Sequence, residues 1–124
     1  MLQNAKVMTF VGTRDAARAR SFYRDTLGLK LVEESPFAVV FDSNGIMLRV
    51  TPVSELIPAP YTVLGWEVPD IRVAVKNLSG AGVEFARYPG MKQDKDGVWL
   101  SPGGARIAWF HDPDGNTLSL TQFE

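Results

Sequence analysis

Residues 110–118 read Phe110-His111-Asp112-Pro113-Asp114-Gly115-Asn116-Thr117-Leu118. The segment joins two runs rich in β-branched and aromatic residues, Ala105 to Phe110 and Thr117 to Gln122, and reads as the turn of a hairpin. Pro113 presets φ, the Asp side chains cap turn amides, and Gly115 supplies positive φ. Working outward, Tyr88 to Gly104 is loop-like, with Pro89-Gly90, Asp96-Gly97 and Pro102-Gly103-Gly104 around a brief Val98-Trp99-Leu100. Val83 to Arg87 reads as a strand. Ile71, Ala74, Val75 and Leu78 form an apolar helical stripe, entered at Pro69-Asp70 and ended by Gly80-Ala81-Gly82. Tyr61 to Val68 precedes it as another strand. Residues 61–124 therefore predict the order βαβββ.

The N-terminal half repeats that order. Val7 to Val11 reads as a strand, and Asp15 as the N-cap of a helix whose stripe is Ala19, Phe22, Tyr23, Thr26 and Leu27. Gly28 stops this helix as a left-handed residue. Three short strands follow, Lys30 to Glu33, Phe37 to Phe41 and Ile46 to Thr51, the last two joined across Asp42-Ser43-Asn44-Gly45. The sequence thus divides into a first unit over 1–52, a proline-punctuated linker over 53–60 and a second unit over 61–124, together one domain.

Composition narrows the function. The chain has 124 residues, 45% hydrophobic and 22% charged, which suits one globular domain and excludes disorder. Thirteen Lys and Arg against fourteen Asp and Glu leave a formal charge of -1, with no basic patch, so no nucleic-acid partner is expected. Cys is absent, which removes disulfides, thiolate metal sites and a Cys nucleophile. No signal core and no membrane-length apolar run is read, so the expected location is cytoplasmic, with no membrane partner.

Two segments carry a family resemblance: Phe22-Tyr23-Arg24-Asp25-Thr26-Leu27-Gly28-Leu29, and Phe110 to Leu118 quoted above. With the repeated βαβββ order, they resemble the vicinal oxygen chelate superfamily of glyoxalases, bleomycin resistance proteins and extradiol dioxygenases, over the whole chain. The resemblance implies an α+β fold in which two βαβββ units make one domain, a curved mixed sheet forming a cup with the helices outside. It also implies a homodimer. In metal-using members a His or carboxylate points inward from four strands, and the matching positions here are Met8, Arg49, Val63 and Ser119. None is a usual divalent-metal ligand, and the permanent charge of Arg49 opposes a cation. No metal and no other cofactor is therefore expected.

Strand alternation places Phe10 with Met8, Met47 and Thr51 with Arg49, Tyr61, Gly65 and Glu67 with Val63, and Thr117 and Thr121 with Ser119. Such a lining suits a small organic molecule with an apolar body and one anionic end. The candidate ligand-binding residues are Met8, Phe10, Met47, Arg49, Val63, Glu67, Trp99, Trp109, Ser119 and Thr121. Arg49 is the candidate anion anchor, and an internal ion pair with Glu67 is the competing reading. Trp99 reads as a lid or a dimer contact, while Trp109 and Trp66 read chiefly as core. Glu67 and His111 are the candidate proton carriers, although a salt bridge or a surface role accounts for each more simply. The leading reading is a metal-independent small-molecule-binding protein. The alternatives are a metal-free isomerase or lyase using Arg49 and Glu67, or a glyoxalase- or dioxygenase-like metalloenzyme if the strand register differs.

Overall fold

A computed structural model describes residues 1–124. The chain falls into two compact units, Met1–Ile57 and Pro58–Glu124. In the first, strand β1 (Met8–Thr13) leads into helix α1 (Ala16–Ser21) and a π turn (Phe22–Thr26), followed by β2 (Lys30–Glu34), β3 (Val39–Ser43) and β4 (Ile46–Pro52). In the second, β5 (Leu64–Glu67) leads into α2 (Ile71–Gly80), β6 (Trp99–Leu100), β7 (Arg106–His111) and β8 (Thr117–Gln122). Both units build a four-stranded mixed sheet of the same order, β1-β4-β3-β2 and β5-β8-β7-β6, in which the first strand lies parallel to the last. The fold is α+β.

The helix starts follow the sequence. The Asp15 carboxylate accepts from the Arg18 amide at 3.1 Å, and that of Asp70 accepts from Arg72 and Val73. Each thereby satisfies donors that the first helical turn leaves over. At the end of α2, the Gly82 amide donates to the Ser79 carbonyl and the Val83 amide to that of Leu78, with Gly82 at φ +98°. This left-handed stop needs glycine to avoid a Cβ clash.

The first helix is not regular to its end. After Ser21 the chain loosens into the π turn, where the Leu27 amide reaches back five residues to Phe22. Tyr23 is fully buried in this turn, its ring edge-on to Phe22 at 5.2 Å and tilted on Phe41 at 5.9 Å.

Alternation sorts the first sheet. Val11, Thr13, Val39, Phe41, Leu48 and Val50 are buried on the face that carries Tyr23 and α1. In the second unit Ile71 and Val75 of α2 share the core with Ala108, Phe110, Leu118 and Leu120.

Several expected strands shift. Phe37 lies outside β3 and is exposed, because Ser35 turns the chain there, its hydroxyl accepting from the Phe37 and Ala38 amides. Tyr61 to Val63 precede β5 rather than extend it. Val83 to Arg87 is not a strand: the Ala86 amide donates to the Trp109 carbonyl, but no ladder forms. Trp99–Leu100 instead takes the sheet edge, paired with Ile107 and Arg106.

Candidate functional site

The two-residue turn at Asn44-Gly45, with φ +49° and +89°, fixes the register of β3 on β4, and β1 adds to the other side of β4. One cross-strand row on the face away from α1 is Phe10, Arg49 and Val40; the next is Met8, Met47 and Asp42. Phe10, Met8 and Met47 are 58%, 45% and 39% exposed, a contiguous apolar strip that no other part of the unit covers. A cavity of about 320 Å³ opens beside Met8 and Met47, walled also by Val32 and Val40 and flanked by Lys6 and Asp42. Val40 and Asp42 were not among the expected site residues. Their signal lay in the turn, since pairing outward from Asn44-Gly45 sets Asp42 against Met47 and Val40 against Arg49.

Arg49 is half-buried between Phe10 and Val40. Its guanidinium makes no hydrogen bond and no ion pair within the first unit. An arginine that gives up part of its hydration without an acceptor stays strongly attractive to a planar anion.

In the second unit, the face opposite α2 carries the remaining expected residues. Gly65, Ser119 and Trp109 form one row, and Glu67, Thr121, Ile107 and Trp99 the next. Ser119 is buried, and a side chain at Gly65 would approach the Ser119 hydroxyl to 3.0 Å, so glycine permits the close approach of β5 to β8 there. Val63 is exposed, its amide donating to the Thr117 carbonyl at 2.9 Å. Trp109 is the centre of an aromatic row, edge-on to Tyr88 at 5.6 Å and tilted on Trp99 at 6.0 Å. Trp99 therefore belongs to the sheet edge, packed on a neighbour, and is not part of a free loop. Tyr88 is a further member that sequence alone did not reveal, because it comes from an irregular segment.

Glu67 and His111 are both exposed, and no hydrogen bond holds either side chain. The Asp112 and Asp114 carboxyls are buried in the hairpin turn, where Asp112 Oδ1 accepts from the Asp114 and Asn116 amides at 2.9 Å each. Their role is the turn.

At the four positions that the resemblance implies, no residue offers the His nitrogen or carboxylate oxygen that a divalent ion takes. Met8 offers a thioether, Val63 nothing, Ser119 one neutral hydroxyl and Arg49 a fixed positive charge. No three His, Asp or Glu side chains gather where they could hold a metal ion. No helix is long and apolar enough to cross a membrane.

The twin sheets have clear counterparts among solved structures. A lactoylglutathione lyase from Agrobacterium tumefaciens matches with a TM-score of 0.74 at 19% identity, covering 96% of this chain and 93% of that one. A glyoxalase/bleomycin resistance protein/dioxygenase superfamily member from Sphaerobacter thermophilus matches at 0.76 and 22% identity, over 98% and 99%. TnmS3, an antibiotic binding protein from Streptomyces sp. CB03234, matches at 0.74 and 21% identity, over 100% and 99%. A search of curated protein sequences finds no match. The family model that matches residues 7–120 spans both βαβββ units, from the strand bearing Met8 to the one bearing Ser119, and by it the chain belongs to the glyoxalase/bleomycin resistance protein/dioxygenase superfamily.

Proposed function

We propose that this protein binds a small organic anion without a metal ion, using Arg49 to hold the anionic end and the apolar strip of Met8, Phe10 and Met47 to cover the body. The observation that carries this reading is the unpartnered, half-buried Arg49 guanidinium in the row between Phe10 and Val40, one row from Met8 and Met47, which with Val40 line a cavity of about 320 Å³. A cavity of that size takes a ligand of small-metabolite or small-drug dimensions. Metal independence rests on the donor chemistry of Met8, Arg49, Val63 and Ser119. That TnmS3, with the same fold, is an antibiotic binding protein lends the binding reading support. The strip's exposure also favours a homodimer, in which a second copy completes the enclosure, and we place the protein in the cytoplasm.

Calorimetric titration with a panel of aromatic and aliphatic carboxylates, each beside its neutral amide, tests the anchor. A charge-assisted hydrogen bond is worth about 1.5–3 kcal/mol, so Arg49→Gln should weaken carboxylate binding by at least about tenfold and leave the amides unaffected. Equal binding of acid and amide, or an Arg49→Gln variant that binds as the wild type does, refutes the anchor. Stoichiometric uptake of zinc, nickel, manganese or ferrous iron by the wild type refutes metal independence.

A further inference from the structure

The second unit holds a separate group of cations on its helix-bearing face. Arg106 opens β7 and pairs with Gln122, whose side-chain carbonyl accepts from the Ile71 amide at the start of α2, so Arg106 stands on the α2 side of the sheet. Lys92 comes from the irregular segment before β6, and Arg72 from the first turn of α2. All three line one cavity of about 310 Å³, over Val98 and Leu100.

Their charges are not equally committed. Arg72 is taken up by Asp94 at 2.7 Å and Asp96 at 3.3 Å. The one carboxylate in the lining, Asp94, is in turn occupied by Arg72 and by the Asp96 and Val98 amides. Lys92 and Arg106 make no hydrogen bond and no ion pair, and Arg106 is half-buried. Two uncommitted cations thus face a pocket whose internal charges are otherwise balanced.

The wall that presents Lys92 is braced, although it has no helix or strand. Gln93 accepts from the Tyr88 amide and donates to the Ala86 and Gly97 carbonyls, while Arg87 donates to the Asp94 and Lys95 carbonyls. Bracing of this kind lowers the ordering cost of binding at an irregular segment.

We propose that this cavity binds a phosphate group, free or as the monoester of a small molecule, with Arg106 and Lys92 as its two ligands. Two open cations match the roughly -1.5 to -2 charge of a phosphate monoester better than the single charge of a carboxylate, and the planar fork of Arg106 suits paired phosphate oxygens. Val98 and Leu100 leave an apolar floor for the organic part of an ester. The site is distinct from the Arg49 face and stands whether or not the anion reading there holds.

The test is a ¹H–¹⁵N titration of the full chain with inorganic phosphate, then phenyl phosphate, at low ionic strength against matched chloride. Saturable shifts are expected at Gln93, Val98 and Leu100, with affinity reduced about tenfold in Lys92→Gln, an exposed position where folding is not at stake, and further in Arg106→Gln. Tighter binding of phenyl phosphate identifies an ester as the ligand, and equal or weaker binding identifies free phosphate. Absence of saturation, shifts confined to the surroundings of Arg49, or wild-type affinity in both Lys92→Gln and Arg106→Gln overturns the proposal.

Discussion

Replacing Asp112 by Ala should cost more stability than its place in a surface hairpin suggests. Asp112 is only 5% exposed. Its Oδ1 accepts from the Asp114 and Asn116 amides at 2.9 Å, and its Oδ2 from the Asn116 side-chain amide at 2.8 Å. Alanine removes one acceptor group and leaves three donors behind, in a turn where Asp114 and Asn116 are themselves buried. An orphaned buried donor costs about 1–3 kcal/mol, and partial rewetting keeps three of them below their sum, so the expected loss is about 3–4 kcal/mol. That is a large part of the roughly 5–15 kcal/mol by which a domain is stable. Asp112→Asn keeps one acceptor oxygen in place and should lose about half as much. Urea unfolding followed by tryptophan fluorescence and circular dichroism measures both variants, and with a slope of about 1–3 kcal/mol/M the Ala midpoint should fall by at least ~1 M. A loss under about 1 kcal/mol for Asp112→Ala would refute the argument that this motif is structural.

Gly28 sits at φ +76° with open space for 4 Å around the point where a methyl group would project, so Gly28→Ala should cost about 1–2 kcal/mol from backbone conformation alone; a neutral result by chemical denaturation would mean that the stop is not held left-handed. Burial opposes ionisation of Asp94, but the hydrogen bond from Arg72 and those from the Val98 and Asp96 amides outweigh it and hold its pKa below the ordinary value. Its contribution is therefore complete above the unfolded pKa of about 3.9 and disappears as pH falls through the lower folded value. Unfolding midpoints between pH 2 and 6 should drop less steeply in Asp94→Asn than in the wild type, and parallel curves would contradict this.

Much of the architecture could be read from local chemistry. Asp15, Asp70, Gly28 and the Asn44-Gly45 turn each act within a few residues of themselves, so their sequence signals are complete where they stand. The alternation across β1 and β4 likewise separates Val11, Leu48 and Val50 from Met8, Phe10 and Met47. What sequence could not supply was decided at a distance. Val83 to Arg87 alternates like a strand, yet the edge of the second sheet goes to Trp99–Leu100, two residues that qualify only by pairing with Ile107 and Arg106. The π turn at Phe22–Thr26, where Tyr23 packs on Phe41, is not encoded by helical spacing either. In the candidate site, the identity of Arg49 was legible, but its lack of a partner in its own unit was not, because side-chain pairing depends on where neighbouring strands place their carboxylates.

The sheet order has a consequence for synthesis on the ribosome. Because β1 pairs with β4 and with no other strand, Met8 finds its partner Met47 only after about 40 further residues have been made. At roughly 5–20 residues per second, the strand bearing Met8 and Phe10 waits about 2–8 s with both its hydrogen-bonding edges open. The second unit imposes a longer delay on β5, whose Leu64 is made about 54 residues before its partner Leu118 in β8, the last strand of that sheet in chain order. Each half of the nascent chain thus passes through a period of vulnerability to chaperones, proteases and neighbouring chains, which ends only when its final strand emerges.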